Sequence, residues 1–212
     1  MKIKNSVLTK KSIWLKVFVF LFAVVWANSL LGTTDITNWL IENTLTVITF
    51  LFIILTYKKY HFSNFSYFLI CIFLCLHVYG SKYTYAENLF GYWLQDLFHS
   101  SRNQYDRLVH FSFGFLLYYP LQECLSKWLK ISKYLAIKIP VLIILSGSAL
   151  YEIIEWLVAD VFFVEQGVSY LGIQGDIWDS EKDMAMAFLG VVIAAIFYHV
   201  FRLYKQPRYY KN

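Results

Sequence analysis

Three acids open the last apolar stretch of this 212-residue chain. In GDIWDSEKDMAMAFLG, residues 175–190, Asp176, Asp179 and Asp183 recur at intervals of three and four and so share one face of a helix. A single aspartate at a helix N-terminus is explained by capping, worth about 0.3–1 kcal/mol from the dipole. Three on one stripe repel, since two charges about 6 Å apart interact by about 2.8 kcal/mol at an effective dielectric near 20. Protonation, a basic partner or a cation must relieve them.

Other segments supply groups of the same kind. RNQYDRLVH spaces Asn103, Asp106 and His110 three and four apart, on one face if the helix begins early, with Arg107 adjacent. ALYEIIEWL sets Glu152 and Glu155 on one face of an apolar stretch, where a carboxylate held at mid-bilayer costs about 2.5–3.5 kcal/mol and marks function by default. LCLHVYGSKYTYAE adds His77, which on its own reads as a satisfied core histidine. Gathered together, these would offer two imidazoles and six carboxylates. Mixed imidazole and carboxylate sets suit zinc, manganese or iron, and all-oxygen subsets suit calcium or magnesium. The chain has no HExxH, P-loop, Gly-x-Ser-x-Gly or CxxC motif, so a metal site must come from convergence in space.

The elements that would hold these groups are membrane helices. Hydrophobic residues make up 58% of the chain, charged residues 16%, and the mean hydropathy is +0.50. The apolar residues come in blocks long enough to cross about 30 Å of hydrocarbon at 1.5 Å per residue. An all-α polytopic bundle of about six spans follows, at 13–31, 40–57, 65–80, 108–125, 139–158 and 184–203, as a single integral membrane domain over residues 1–212. The first apolar block exceeds a usual signal-peptide core and reads as an uncleaved span. An interfacial helix is expected around residues 92–98, where aromatics suit the headgroup zone. Cys71, Cys75 and Cys124 read as packing residues outside any polar loop that would call for a bridge.

Charge orients the bundle. Of the 19 Lys and Arg, all but Lys82, Arg102, Arg107 and Lys182 fall at one level, the termini and the loops after the second and fourth spans. Both termini are therefore expected in the cytoplasm. Of the 14 Asp and Glu, all but Glu123 lie at the opposite, outward level, which topology rules do not demand. The excess of base is a cytoplasmic collar for anionic headgroups, with no stacking groove of the kind that binds nucleic acid.

The segments SNFSYFLICIFLCLHVYGSKYTYAE, RNQYDRLVHFSFGFLLYYP, SALYEIIEW and YLGIQGDIWDSEKDMAMAFLG together resemble the YjdF-type family of bacterial inner-membrane proteins, from the third span onward. Asp106, His110-Phe111, Asp183 and Gly190 also look distantly like the acidic, His-Phe and Asp-to-Gly pattern of VanZ-like proteins. The resemblance implies a multi-pass protein of the bacterial plasma membrane and fixes no reaction.

Three readings follow. In the first, a divalent metal held among Asp176, Asp179, Asp183, Asp106 and His77 serves a hydrolase or transferase acting on a lipid or lipid-linked envelope substrate at the outer leaflet. Glu152, Glu155 and His110 would then carry acid–base or ligand roles, and Arg107 would contact an oxyanion or phosphate. In the second, the acids are a buried ion-pair or cation-stabilised cluster in a structural or partner-binding membrane protein. In the third they serve a proton-coupled transporter, disfavoured because they gather at one rim with no inverted repeat. Oligomeric state is not legible.

Overall fold

A computed structural model describes the backbone of residues 2–57, 59–162 and 173–205, and side chains from residue 13 to residue 204 within them. Lys58, Arg208 and Lys211 of the basic collar lie outside the described residues, as do the side chains of Lys2, Lys4, Lys10, Lys11 and Lys205. Among the described residues the fold is entirely helical: α1 (Lys2–Leu31), α2 (Ile36–Tyr57), α3 (Asn64–Ser81), α4 (Leu89–Leu97), α5 (Tyr105–Lys127), α6 (Lys133–Leu157) extended by a π-helical turn (Val158–Phe162), and α7 (Asp179–Lys205).

Five of these helices are long and apolar enough to cross a membrane: residues 13–31 of α1, then α2, α3, α6 with its π-helical extension, and α7. Their outer surfaces carry Leu31, Leu55, Leu142, Phe197 and Val200, an apolar exterior that suits lipid. The sixth expected span, α5, forms where expected and its 23 residues cover about 34 Å. It is more polar because it faces protein on both sides. One core cluster packs Phe73, Leu74 and Val78 of α3 against Tyr105 and Val109, and a second packs Tyr118 against Ile144 of α6 and Ala187, Val191 and Ala194 of α7. A helix so enclosed has no need of a lipid-compatible surface.

The most extensive packing joins α5 to α7. The two run parallel with almost no space between backbones: a Cβ built on Gly114 would lie 2.0 Å from the Ala187 carbonyl oxygen, and one on Gly190 2.2 Å from that of Phe111. Small residues permit this approach, the usual device where lipid supplies no hydrophobic drive between helices. Its consequence is positional, because the parallel pairing brings both helix N-termini, at Tyr105 and Asp179, to the same level. The interfacial element appears as α4, capped by Asn88 Oδ1, which accepts the Phe90 and Gly91 amides, and exposing Phe90, Trp93 and Leu97. All three cysteines are free.

Candidate functional site

The site is built at the paired N-termini of α5 and α7. Before α7 the chain turns through Gln174 and Gly175, both at positive φ (49° and 81°). Gln174 Oε1 accepts the Asn103 amide (2.8 Å), while Asn103 Oδ1 accepts the Tyr105 amide at the start of α5 (3.0 Å). Asn103 thus locks the turn and does not share the helical face of Asp106 and His110. It donates to the Asn88 carbonyl as well (2.8 Å), tying in α4.

The acidic stripe meets arginine. Arg107 Nη2 donates to Asp179 Oδ1 (2.5 Å) and Asp176 Oδ2 (3.2 Å), its Nη1 donates to the Asp179 carbonyl (3.0 Å), and Nη1 also pairs with Asp183 Oδ2. Arg102 pairs with Asp179 Oδ1 from the other side. At the outer edge Lys182 Nζ donates to both Asp176 oxygens (2.8 Å each), and this holds the Asp176 carboxyl below the usual aspartate range. Asp176 and Asp179 are therefore committed to bases and stand as a clamp joining α7 to α5.

Deeper in, the balance changes. Asp106, His110 and Asp183 each offer a ligand atom, all within 4.8 Å of one another. His110 Nε2 stands 3.6 Å from Asp106 Oδ1 and 3.4 Å from Glu152 Oε1 of α6. Asp183 is 2% exposed and Glu152 7% exposed, yet Asp183 Oδ1 and Glu152 Oε1 have no hydrogen-bond partner. Leaving such atoms unmet costs about 1–3 kcal/mol each, and more for charged groups. Taken together, the carboxylates of Asp106, Glu152, Asp176, Asp179 and Asp183 face the bases Arg102, Arg107 and Lys182. Five carboxyl groups thus face three bases, and the two in excess call for protons or for a cation.

His77 belongs to a different set. Its Nε2 lies 3.1 Å from the Glu42 carbonyl of α2, which can only accept, so Nε2 carries the proton and Nδ1 accepts from Tyr85 Oη (2.6 Å). Both ring nitrogens are thus engaged outside the Asp106 cluster. Burial pushes the Tyr85 hydroxyl well above its ordinary value, keeping it a donor. Glu155 is partly exposed and makes none of the cluster's ion pairs. Two groups not singled out from sequence belong here. Arg102 shares Asp179, and Glu42, 4% exposed, accepts a hydrogen bond from Tyr151 Oη (3.1 Å). Glu42 had a signal, as the one charged residue in α2.

These groups open on a cavity of about 240 Å³ between α2, α3, α5 and α6. Asp106, His110, His77, Tyr85 and Tyr151 form its polar part, Ser148 Oγ faces it without a hydrogen-bond partner, and Phe73 and Phe113 form its apolar part. A buried imidazole between carboxylates, beside free oxygens and a chamber of this size, can bind a cation or exchange protons with a bound molecule.

Comparison with known proteins agrees with this membrane architecture. A family described as predicted membrane protein (DUF2238) matches residues 14–203. Inner membrane protein YjdF of Escherichia coli (strain K12) is 33% identical over 165 residues, covering 77% of this chain and 78% of that protein. No solved structure matches.

Proposed function

The chain belongs to the predicted membrane protein family DUF2238, and we propose that it is a multi-pass inner-membrane protein that binds a divalent cation at Asp106, His110 and Asp183, using it in hydrolysis or transfer on a lipid or lipid-linked envelope substrate. The observation that carries this reading is the pair of buried, unpartnered oxygens, Asp183 Oδ1 and Glu152 Oε1, around an imidazole at the mouth of a cavity. The donor set of one imidazole and two carboxylates suits zinc, manganese or iron. A cation there would polarise a phosphoryl or acyl oxygen. Glu152, whose Oε1 has no hydrogen-bond partner, would take the proton of the attacking water or hydroxyl, and Arg107 holds Asp183 in place from its other oxygen.

In this reading α5 is the sixth span, both termini are cytoplasmic and the cluster faces outward. The concentration of Lys and Arg at the level of the termini supports that orientation.

A second reading is favoured by the reach of Arg107 across Asp176, Asp179 and Asp183, which makes the cluster an ion-pair hub holding α5 to α7 in a non-catalytic, structural or partner-binding protein. Proton-coupled transport has less support, because the space beneath the cluster is lined by Ile53, Phe52, Leu117 and Leu121 instead of proton acceptors.

Elemental analysis of the purified protein and two variants separates these readings. A stoichiometric metal that is lost in Asp183→Asn and kept in Asp179→Asn supports the cation site. A metal-free wild-type protein that is destabilised by Asp179→Asn establishes the hub.

A further inference from the structure

The polar cavity does not end at its apolar wall. Leu45, Phe73 and Phe113 line it and also line an adjoining cavity of about 230 Å³, which lies between α2, α3 and α5 toward the other end of the bundle. That second space is walled by Phe52, Ile70, Leu117 and Leu121, with Thr49 as its one hydroxyl. It exists because α2 makes its principal packing with α3 and stands off α5. Its far end is lined by aromatics: Phe62 and Trp128 have ring centroids 4.3 Å apart, and Tyr60 stacks on Trp128 at 5.2 Å.

Together the two cavities make a largely apolar groove with one polar end. From Val109 at the mouth to Trp128 at the floor the chain rises 19 residues, about 28 Å. An ordinary acyl tail occupies one leaflet, half of the roughly 30 Å hydrocarbon thickness. Water gains nothing from such a lining, and a two-tailed lipid would fill the groove with one tail and leave its lower part empty.

We propose that this groove holds the single long tail of a polyisoprenyl phosphate-type lipid, with the tail crossing the bilayer midplane and the phosphate at the Asp106–His110–Asp183 mouth. The tail assignment rests on the groove itself, and the placement of the phosphate rests on the cation reading above. The aromatic floor sets the longest tail that fits, and the gap beside α2 is the lateral route of entry from the bilayer.

The test uses the full chain in nanodiscs of phosphatidylethanolamine and phosphatidylglycerol, with a polyprenyl monophosphate carrying a diazirine near its far end. Irradiation should label peptides containing Phe62, Leu121 or Trp128, and excess phosphatidylglycerol should not compete. In Thr49→Trp and Leu117→Trp, which fill the groove, labelling should fall about tenfold, equivalent to about 1.4 kcal/mol of binding. The lipid-facing control Phe20→Trp should label as wild type. Labelling that follows the exposed surface of α1, survives both groove variants or is competed by phosphatidylglycerol overturns the proposal. Should one groove variant fail to accumulate, the other decides. Groove labelling in a wild-type protein that carries no metal leaves the tail site standing while the cation reading falls, and loss of both metal and labelling in Asp183→Asn ties the two together.

Discussion

Two buried carboxylates at opposite ends of the bundle are treated in opposite ways. Glu123 near the end of α5 is 2% exposed, as is Asp183 near the start of α7. Around Glu123 every oxygen is used: the Ser63 amide donates to both (3.0 and 3.1 Å), the Ser63 and Ser66 hydroxyls donate to Oε2, and Lys127 Nζ donates to Oε1 (2.5 Å). That carboxylate is a cap for α3, and it is complete. Asp183 gives one oxygen to Arg107 and leaves the other unmet. Burial therefore does not separate a structural acid from an available one, but saturation of its hydrogen-bonding capacity does.

The most severe way to break this contrast is to remove the base on which the outer end depends. Arg107→Leu strands Asp183 in a buried site and leaves Asp179 to Arg102 alone, and breaking a buried pair from one side costs about 3–5 kcal/mol. Unfolding of the purified protein in detergent should show a loss of this size, partly recovered in the double variant Arg107→Leu with Asp183→Asn. A loss under about 1 kcal/mol, the range of exposed pairs, would mean that water reaches the cluster.

The contrast is sharpened by asking which end responds to a cation. At about 100 times its dissociation constant, a bound ion stabilises the fold by about 2.7 kcal/mol. Titrating zinc or manganese should raise the melting temperature of the wild type and of Glu123→Gln by the same increment, and should leave Asp106→Asn unmoved. Glu123→Gln itself should begin about 1–3 kcal/mol lower, since it loses the charge held by Lys127 and a strong acceptor for Ser63 and Ser66.

A third change acts on the frame. Gly114→Ala puts a methyl group 2.0 Å from the Ala187 carbonyl and must separate α5 from α7, at a cost of about 1–3 kcal/mol. Gly147→Ala meets Phe113 at 3.3 Å, a ring edge that can shift, so it should be nearly silent in the same melt. If the cluster depends on the close pairing of α5 and α7, Gly114→Ala also weakens the cation-induced shift and Gly147→Ala does not.

The helices were legible because each apolar block is long and bounded by charge, and α5 was found although its polar residues make it the least lipid-like of the six. Asp106 and His110 could be placed on one face by their spacing, and α7 begins at Asp179, close to where the acidic stripe enters the apolar stretch. Pairing was not legible. Sequence spacing puts Asp176, Asp179 and Asp183 on one stripe without saying that Arg107 of α5 and Arg102 of the segment before it take two and a half of them, leaving one oxygen of Asp183. That division depends on the close backbone approach of Gly114 to Ala187 and of Gly190 to Phe111, which sets the register of α5 against α7 and has no local signature beyond two glycines in apolar runs. Glu42 escaped because it stood alone, and its partner Tyr151 lies 109 residues away.

The smallest effect concerns the rim of the clamp. Lys182 holds the Asp176 carboxyl below its ordinary value, so this pairing contributes stability above the unfolded aspartate value of about 3.9 and loses it as pH falls through the lowered folded value. At pH 7 Asp176→Asn should therefore melt slightly below wild type. The gap should close as pH is taken below about 4, and high salt should narrow it, because Asp176 and Lys182 meet at a partly exposed edge. Metal content gives the same variant a second use. If Asp176→Asn keeps its cation, Asp176 is scaffold, like Glu123. If the cation is lost, the ligand set reaches the rim, and the division between committed and available acids must be drawn further out along the stripe.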